Sequence, residues 1–367
     1  MEFPFRKELV KETKSYANNT PHVSGDTLDC SLGVNPYGYP EEIDSILHTV
    51  ADYHLSDYPH TDKLSDAILS YWKDYGAVEK KNLSLCNGSV CGLYTLNNIF
   101  SQSVRNEAVG PFPTFTDMVE SVRAFGMTYT GVPMKEDGKM DIDGIIASLS
   151  DRTAFVYIDT PNNPTGQTVS LSDIRRVLDA AKKNGSFVIM DEAYGDFVER
   201  EESSIRFFKE YDNLIVVRTF SKGFGLANLR GGYIFAPGEI TGMLLRTSNP
   251  YVIGEFERSI FAEALSHPEH PSAGGKVFSE AKEEIIKNTG KNIRMLYTDP
   301  RVPICTLELM KPGNLQHMLL KEGILTVSGL DFELLNERFV RLRLPKKEDQ
   351  KKVISAVLAV ENLQFKG

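Results

Sequence analysis

The sequence lacks the features that mark several common classes of protein. None of its apolar runs is long enough to span a membrane, and the N-terminal stretch MEFPFRKELVKE has no apolar core of a secretory signal. The cysteines number four: Cys30, Cys86, Cys91 and Cys305. They show neither CxxC spacing nor the density of a disulfide framework. We therefore expect a cytoplasmic protein with reduced thiols and no membrane partner.

Clustered positive charge is also missing. The chain has 41 Lys and Arg residues against 50 Asp and Glu, a formal net charge of -9. Because nucleic-acid binding needs clustered Lys and Arg to neutralise phosphates, we expect no nucleic-acid partner. The seven histidines are scattered, and the pair in HPEHP lies in a proline-rich loop. We therefore expect no metal site.

The middle of the chain contains short apolar runs that alternate with helical patterns. Three of these runs read as strands: Thr153–Asp159, Ser186–Tyr194 and Leu214–Phe220. Each is apolar along its whole length, as is typical of a strand buried on both faces of a parallel sheet. The alternation predicts βαβ units and an α/β fold.

The segment LSDIRRVLDAAKKNG between the first two runs predicts a helix. Its apolar residues recur at helical spacing and form one stripe. Ser170 with Asp173 resembles a capping box, and Gly185 stands where a C-terminal cap belongs.

The pattern changes after residue 245. Two helical stretches, Glu255–Leu265 and Ser279–Thr289, precede the strand-like pieces CTLELM and RFVRLRL and a final helix, KKEDQKKVISAVLAVENL. We predict an N-terminal arm over residues 1–40, a large domain over 41–245 and a smaller α+β domain over 246–367.

Polar and small residues follow the predicted strands. In a doubly wound sheet, ligands bind at the carboxyl ends of the strands, so these residues are expected to gather at one edge. Each of them alone has an ordinary explanation as a turn or a cap. The set consists of Gly88, Ser89, Asn163, Asp191, Tyr194, Ser221 and Lys222.

This set has one ready chemical interpretation, a site for pyridoxal 5'-phosphate (PLP). The cofactor needs a lysine to hold its aldehyde as a Schiff base and a carboxylate to keep its pyridine nitrogen protonated. Its phosphate needs N–H groups at the start of a helix, hydroxyl groups and a cation. The sequence offers a candidate for each requirement.

On these residues the chain resembles the fold-type I PLP enzymes, and within them the histidinol-phosphate aminotransferases and the similar threonine-phosphate decarboxylases. The resemblance covers nearly the whole chain, and its NNPTG, DEAY and SK…LR motifs are highly specific together. It implies an α/β fold in which a large PLP-binding domain with a mostly parallel sheet is followed by a smaller α+β C-terminal domain.

The resemblance implies roles around the cofactor ring. Lys222 would bind the aldehyde and then act as general base and acid. Asp191 would bond to the pyridine nitrogen. Tyr194 and Asn163 would bond to the 3'-oxygen, and Phe115 would stack on the ring.

It also implies contacts to the phosphate and the substrate. Tyr58 would reach the phosphate of the neighbouring subunit's cofactor, which implies a homodimer with shared active sites. Arg341 matches the arginine that pairs with the α-carboxylate of the amino acid. The cofactor phosphate would be held by Gly88, Ser89, Ser221 and Arg230.

Two departures from the family pattern concern the substrate. Where both groups carry an arginine that helps bind the substrate phosphate, this chain reads GILTVSG, with Thr326 or Val327 at that place. Histidinol phosphate is therefore disfavoured unless another cation, such as Arg343 or Arg246, takes over. The second departure is VPICTLEL in place of an Asn-aromatic pair, so the pocket wall differs.

The expected reaction is PLP-dependent amino transfer between L-glutamate, as donor, and a small, phosphorylated carbonyl compound. One alternative keeps the site and changes the reaction to decarboxylation of a phosphorylated amino acid. A second alternative is a non-catalytic PLP-binding regulator, against which the intact Lys222 and Asp191 argue. The sequence does not identify the carbonyl acceptor.

Overall fold

The computed structural model of the protein describes residues 25–365. Most of the strands within them belong to two sheets, one large and one small. In chain order the strands are β1 (Leu28–Asp29), β2 (Leu83–Cys86), β3 (Glu107–Phe112), β4 (Thr128–Pro133), β5 (Thr153–Asp159), β6 (Phe187–Asp191), β7 (Leu214–Thr219), β8 (Gly232–Phe235), β9 (Ile293–Met295), β10 (Ile304–Leu309), β11 (Ile324–Leu325), β12 (Val327–Ser328) and β13 (Phe339–Arg343).

Helices connect and cover these strands. No helix among residues 25–365 is long and apolar enough to cross a bilayer. In chain order the helices are α1 (Ile43–Leu47), α2 (Lys63–Trp72), α3 (Gly88–Ser101), α4 (Thr116–Ala124), α5 (Ile142–Ala147), α6 (Leu171–Asn184), α7 (Gly238–Thr247), α8 (Glu255–Ala264), α9 (Gly275–Asn288), α10 (Leu315–Lys321) and α11 (Lys347–Glu361).

The large sheet has seven strands in the order β2-β8-β7-β6-β5-β3-β4. It is parallel except at β8, which runs antiparallel to both of its neighbours. The predicted strand Thr153–Asp159 is confirmed with its bounds, and every residue of it is buried. The second predicted strand is confirmed but ends at Asp191, because Tyr194 already leads into a 3-10 turn. The third ends at Thr219.

Helix α6, between β5 and β6, forms as its end signals predict. The Ser170 hydroxyl accepts a hydrogen bond from the backbone N–H of Asp173, and the chain leaves the helix at Gly185 with φ 72°. The apolar stripe faces the core, since Ile174 and Leu178 are buried against the sheet. Local sequence therefore specifies both ends of this helix.

The small sheet is antiparallel and has the order β12-β13-β10-β9. Side chains of α9, α10 and α11 share one apolar core with it, which includes Phe278, Leu307 and Val357. Helix α9 starts earlier than its predicted first residue, Ser279, because Phe278 in its first turn is fully buried. A mostly parallel sheet followed by a smaller α+β portion confirms the predicted α/β fold class.

The N-terminal portion contributes a strand to the C-terminal half. Strand β1 pairs in parallel with β11. Residues 1–24 of the predicted arm lie outside the described residues, and the division of the chain at residues 40 and 245 stays a prediction.

Candidate active site

A cavity of about 130 Å³ opens at the carboxyl ends of β5, β6 and β7. These three strands are neighbours and parallel, so residues that follow each of them meet at one edge. Predicted residues that line the cavity are Ser89, Phe115, Asn163, Asp191, Tyr194, Ser221, Lys222 and Arg230.

Lys222 and Tyr194 face each other in this cavity. The Lys222 Nζ lies 5.6 Å from the centroid of the Tyr194 ring. The Lys222 backbone is held by its carbonyl, which accepts hydrogen bonds from the N–H groups of Asn35 and Gly225. The loop after β7 therefore carries the lysine at a defined place.

The hydroxyl of Tyr194 is buried and makes no hydrogen bond to any residue in the described part of the chain. Gly33 packs so closely that a Cβ there would lie 1.9 Å from Tyr194 Oη. Since a buried hydroxyl without a partner is costly, the position fits an oxygen atom of a ligand. The 3'-oxygen of PLP is such an atom, so this observation agrees with the predicted cofactor.

Asp191 ends β6 and is held from two sides. Tyr157 Oη donates to Asp191 Oδ2 over 2.8 Å, and the Ala193 N–H donates to Oδ1 over 3.1 Å. Burial raises the pKa of Asp191 to about 6, while the Tyr157 and Ala193 hydrogen bonds and the charge of Lys222 oppose that rise. A cationic ring nitrogen is a partner that would favour the ionised carboxylate.

The start of α3 forms a cradle with Arg230. Gly88 has φ 73°, and a Cβ there would lie 2.6 Å from Arg230 Nη2. The backbone of Arg230 has the left-handed conformation with φ 57°, which costs about 1 kcal/mol in a non-glycine residue. Its Nη1 donates to Ser221 Oγ over 3.3 Å and to the Ala227 carbonyl over 2.8 Å. N–H groups at a helix start beside a guanidinium fit a phosphate group.

Arg341 reaches this edge from β13 of the small sheet. It is 2% exposed, and its Nη1 donates to Asn163 Oδ1 over 2.8 Å. Its Nη2 donates to the Ser31 carbonyl over 2.6 Å. The structure thus joins a predicted cofactor ligand to the predicted carboxylate ligand.

The comparison with protein families rests on nearly the whole chain. The family model for aminotransferase class I and II matches residues 31–357. The chain belongs to this family. Its members use PLP as cofactor, and the lysine, carboxylate and buried hydroxyl described above fit that group.

Individual relatives of this chain are also aminotransferases. A histidinol-phosphate aminotransferase from Thermococcus gammatolerans is 32% identical over 288 residues, which cover 77% of this chain and 79% of the relative. The crystal structure of a histidinol-phosphate aminotransferase from Clostridium acetobutylicum superposes with a TM-score of 0.80 and 24% identity, covering 91% of this chain and 99% of the other. One from Sinorhizobium meliloti, in complex with PLP, has a TM-score of 0.76 and 16% identity, with 90% of each chain covered. The fold-type I architecture is therefore confirmed.

The place where the family pattern has an arginine for the substrate phosphate carries no charge in this aminotransferase. Val327 pairs directly with Arg341 in the sheet and is 2% exposed, and Thr326 beside it is fully buried. Neither suggested replacement lies at the cavity. Arg343 donates to the carbonyls of Asp29 and Leu344, and Arg246 on α7 is exposed. Among residues 25–365, the cations that line the cavity are Lys222 and Arg230.

Tyr58 is not brought to the cavity of its own chain. Its side chain is 73% exposed, and its ring stacks on Tyr251 with 4.6 Å between centroids. Gly88 and Arg341 also do not line the cavity, although each contacts a residue that does.

Sequence reasoning missed three side chains of the site. The apolar pattern of the strand predicts no role for Tyr157, although a tyrosine in a fully buried strand needs a partner for its hydroxyl. The same pattern predicts Asp159 only as the end of the strand. Asp117 in the first turn of α4 also lines the cavity, and burial raises its pKa while the charge of Lys222 opposes that rise.

Proposed function

We propose that this aminotransferase moves an amino group between L-glutamate and a small, phosphorylated carbonyl compound. The observation that carries this proposal is the hydrogen bond from Arg341 to Asn163, which lines the Lys222 cavity. It supports a substrate carboxylate bound by Arg341 next to a cofactor bound by Asn163 and Lys222.

We assign the cofactor contacts as the sequence predicted them. Lys222 binds the aldehyde, Asp191 the pyridine nitrogen, and Tyr194 with Asn163 the 3'-oxygen, while Phe115 packs on the ring. The phosphate contacts are Gly88, Ser89, Ser221 and Arg230. When bound, PLP supplies an electron-withdrawing ring that stabilises negative charge at the substrate α-carbon.

The protein's own residues then do three things. The Lys222 amine would take the proton from the α-carbon of the amino donor, and in the second half of the reaction it would deliver a proton to the carbon of the acceptor that receives the amino group. Arg341 orients the substrate through its carboxylate, which is a positioning effect. Asp191 keeps its charge opposite the pyridine nitrogen, helped by the hydroxyl of Tyr157.

The acceptor is a compact molecule in this proposal. Val327 offers no charge where the family pattern has an arginine, and a phosphate dianion buried against it would be costly. The relatives are named for histidinol phosphate, which carries an imidazole ring and a phosphate. A three-carbon phosphorylated ketone lacks the imidazole ring, so it can bind in the cavity with its phosphate away from Val327, which does not line the cavity.

We also propose a cytoplasmic homodimer with shared active sites, in which Tyr58 serves the partner's cofactor phosphate. An exposed apolar group supports an interface on this face of the chain. Leu55 is 85% exposed, Tyr58 73% and Tyr251 56%. Exposed apolar patches of this kind mark protein interfaces.

A single-turnover experiment tests the proposed function. Glutamate added alone to the PLP-loaded protein should release about one equivalent of 2-oxoglutarate for each Lys222 and abolish the visible absorbance of the bound cofactor. Lys222→Ala is the matched control and should release none. Loss of CO2 from a phosphorylated amino acid, with no 2-oxoglutarate from glutamate, would instead identify a decarboxylase. If no amino acid tested gives a 2-oxo acid or CO2, the non-catalytic regulator would be favoured.

A further inference from the structure

Asp159 is a second buried carboxylate beside Asp191. It ends β5 where Asp191 ends the neighbouring β6, and the two residues are direct partners in the parallel register. Asp159 is 3% exposed and lines the same cavity. The proposed function uses Asp191 and assigns nothing to Asp159.

Both oxygens of Asp159 accept hydrogen bonds. Oδ1 accepts from Thr114 Oγ1 and from Asn162 Nδ2, each over 2.8 Å. Oδ2 accepts from the backbone N–H of Asn163, also over 2.8 Å. All of these donors are buried, and a hydrogen bond between buried groups is electrostatically stronger than one in water.

The donors belong to two loops that both reach the cofactor cavity. Thr114 directly precedes Phe115, in the loop after β3, whereas Asn163 lies in the loop after β5. Asn163 in turn accepts the hydrogen bond of Arg341. One carboxylate therefore connects Phe115, Asn163 and, through Asn163, Arg341.

We propose that Asp159 is a positioning residue that holds Phe115 and Asn163 in fixed relation to each other and, through Asn163, aims Arg341. This inference rests on the proposed roles of those three residues. Asp159 itself needs no contact with cofactor or substrate. Its loss would weaken the binding of the cofactor ring and the binding of the substrate carboxylate at the same time.

Burying this carboxylate is costly, which supports a specific role. Burial raises the pKa of Asp159 to about 7, the charge of Asp191 adds to the rise, and the bonds from Asn163, Asn162 and Thr114 oppose it. A neutral side chain would avoid the cost of burial but could not accept three hydrogen bonds in this geometry.

Two variants of Asp159 and one matched control test the proposal. Asp159→Asn keeps the shape and one acceptor oxygen, and Asp159→Ala removes all three bonds. The control is Glu107→Gln, at the opposite end of the sheet, where β3 begins. Glu107 is 5% exposed and likewise accepts three hydrogen bonds, from the hydroxyls of Thr130, Ser150 and Thr153.

Asp159→Ala and Glu107→Gln should unfold at lower temperature than the wild type. The Asp159 variants alone should lose PLP from the loaded protein about tenfold faster and show a weakened visible circular-dichroism band of the bound cofactor. They should also raise the KM for glutamate more than they lower kcat, with Asp159→Asn milder than Asp159→Ala. Glu107→Gln should match the wild type in PLP loss, dichroism and KM.

Thr114→Val distinguishes the effect of the loop that carries Phe115 from that of the loop that carries Asn163. It removes only the bond on the Phe115 side, so it should speed PLP loss and leave the KM for glutamate nearly unchanged. If Asp159→Ala does not fold, Asp159→Asn and Thr114→Val still test the positioning role of Asp159.

Wild-type rates of PLP loss and a wild-type dichroism band in Asp159→Asn would overturn the positioning role. A failure of the proposed function is distinguishable, because it would show in the wild-type protein as no 2-oxoglutarate from glutamate. In that event the rate of PLP loss and the dichroism band would still test the positioning role of Asp159.

Discussion

Arg341 donates a hydrogen bond to Asn163 across 178 positions of sequence, from the small sheet to a loop of the large one. Arg341 is nearly completely buried, and the Ser31 carbonyl fixes the other arm of its guanidinium. A planar guanidinium held at two points is fixed in one orientation. If Arg341 binds the substrate carboxylate as proposed, that binding depends on the relative position of the two sheets.

The predicted role of Arg341 can be measured against a residue on the same strand. Arg341→Gln should raise the KM for glutamate by about 30-fold or more, since a lost charge-assisted hydrogen bond costs about 2–3 kcal/mol. Arg343→Gln is the control, because Arg343 bonds to backbone carbonyls away from the cavity. Equal effects of the two substitutions on KM would contradict the assignment of Arg341.

Borohydride should fix PLP on Lys222. The chain contains a second lysine of unusual chemistry, Lys282, whose pKa burial lowers to about 8. Its Nζ donates to Thr298 Oγ1 and to the carbonyls of Asp299 and Ile304, and it does not line the cavity. Peptide mass mapping should find the label on Lys222, and Lys222→Ala should have no turnover. A label on Lys282 would refute the assignment.

Sharing of active sites predicts complementation between a weakened and an inactive subunit. Tyr58→Phe should weaken activity because each cofactor phosphate loses a contact from the partner, and Lys222→Ala should abolish it. A mixture of the two variants should regain activity, since some mixed dimers carry one unmutated site. Sedimentation of the wild type at assay concentration supplies the check, and a fully active monomer would exclude the shared site.

Histidinol phosphate should be a poor substrate. The apolar Val327 beside Arg341 leaves the substrate phosphate without a cation at that place, which costs about 2–3 kcal/mol of binding. We expect its kcat/KM, measured as amino donor with 2-oxoglutarate as acceptor, to lie at least tens-fold below that of the best other substrate tested. If histidinol phosphate performs as well as every other substrate tested, the importance given to Val327 is wrong.

The two buried carboxylates predict a pH dependence of stability. The pKa of Asp159 is raised to about 7 and that of Asp191 to about 6, whereas both groups have a pKa of about 4 in the unfolded chain. The folded protein therefore binds more protons than the unfolded chain in this window. The free energy of unfolding of the PLP-free protein should fall as pH rises from about 4 to about 7.

Denaturant unfolding of the wild type and of Asp159→Asn at several pH values checks this prediction. The variant should show a shallower fall, because its amide does not titrate. A wild-type free energy of unfolding that rises over the same window would contradict the raised pKa values.

Local sequence predicts individual elements of this protein well. The run Thr153–Asp159 is apolar throughout because both faces of its strand are buried, and Ser170 and Gly185 end α6 through hydrogen bonds and a left-handed turn within the same few residues. Motif residues such as Asp191 and Lys222 lie at or just after the ends of strands whose carboxyl ends meet in any parallel sheet. These features depend on short segments of chain, so the sequence alone determines them.

Which segments become neighbours is decided only by the tertiary structure. The pairing of Asp159 with Asp191, the contact of Arg341 with Asn163, and Val327 opposite Arg341 join segments that are distant in sequence. Apolar periodicity reports that a segment is buried but not against which partner. A buried carboxylate or guanidinium acquires its role from its donors and acceptors, and those are known only once the sheets are packed.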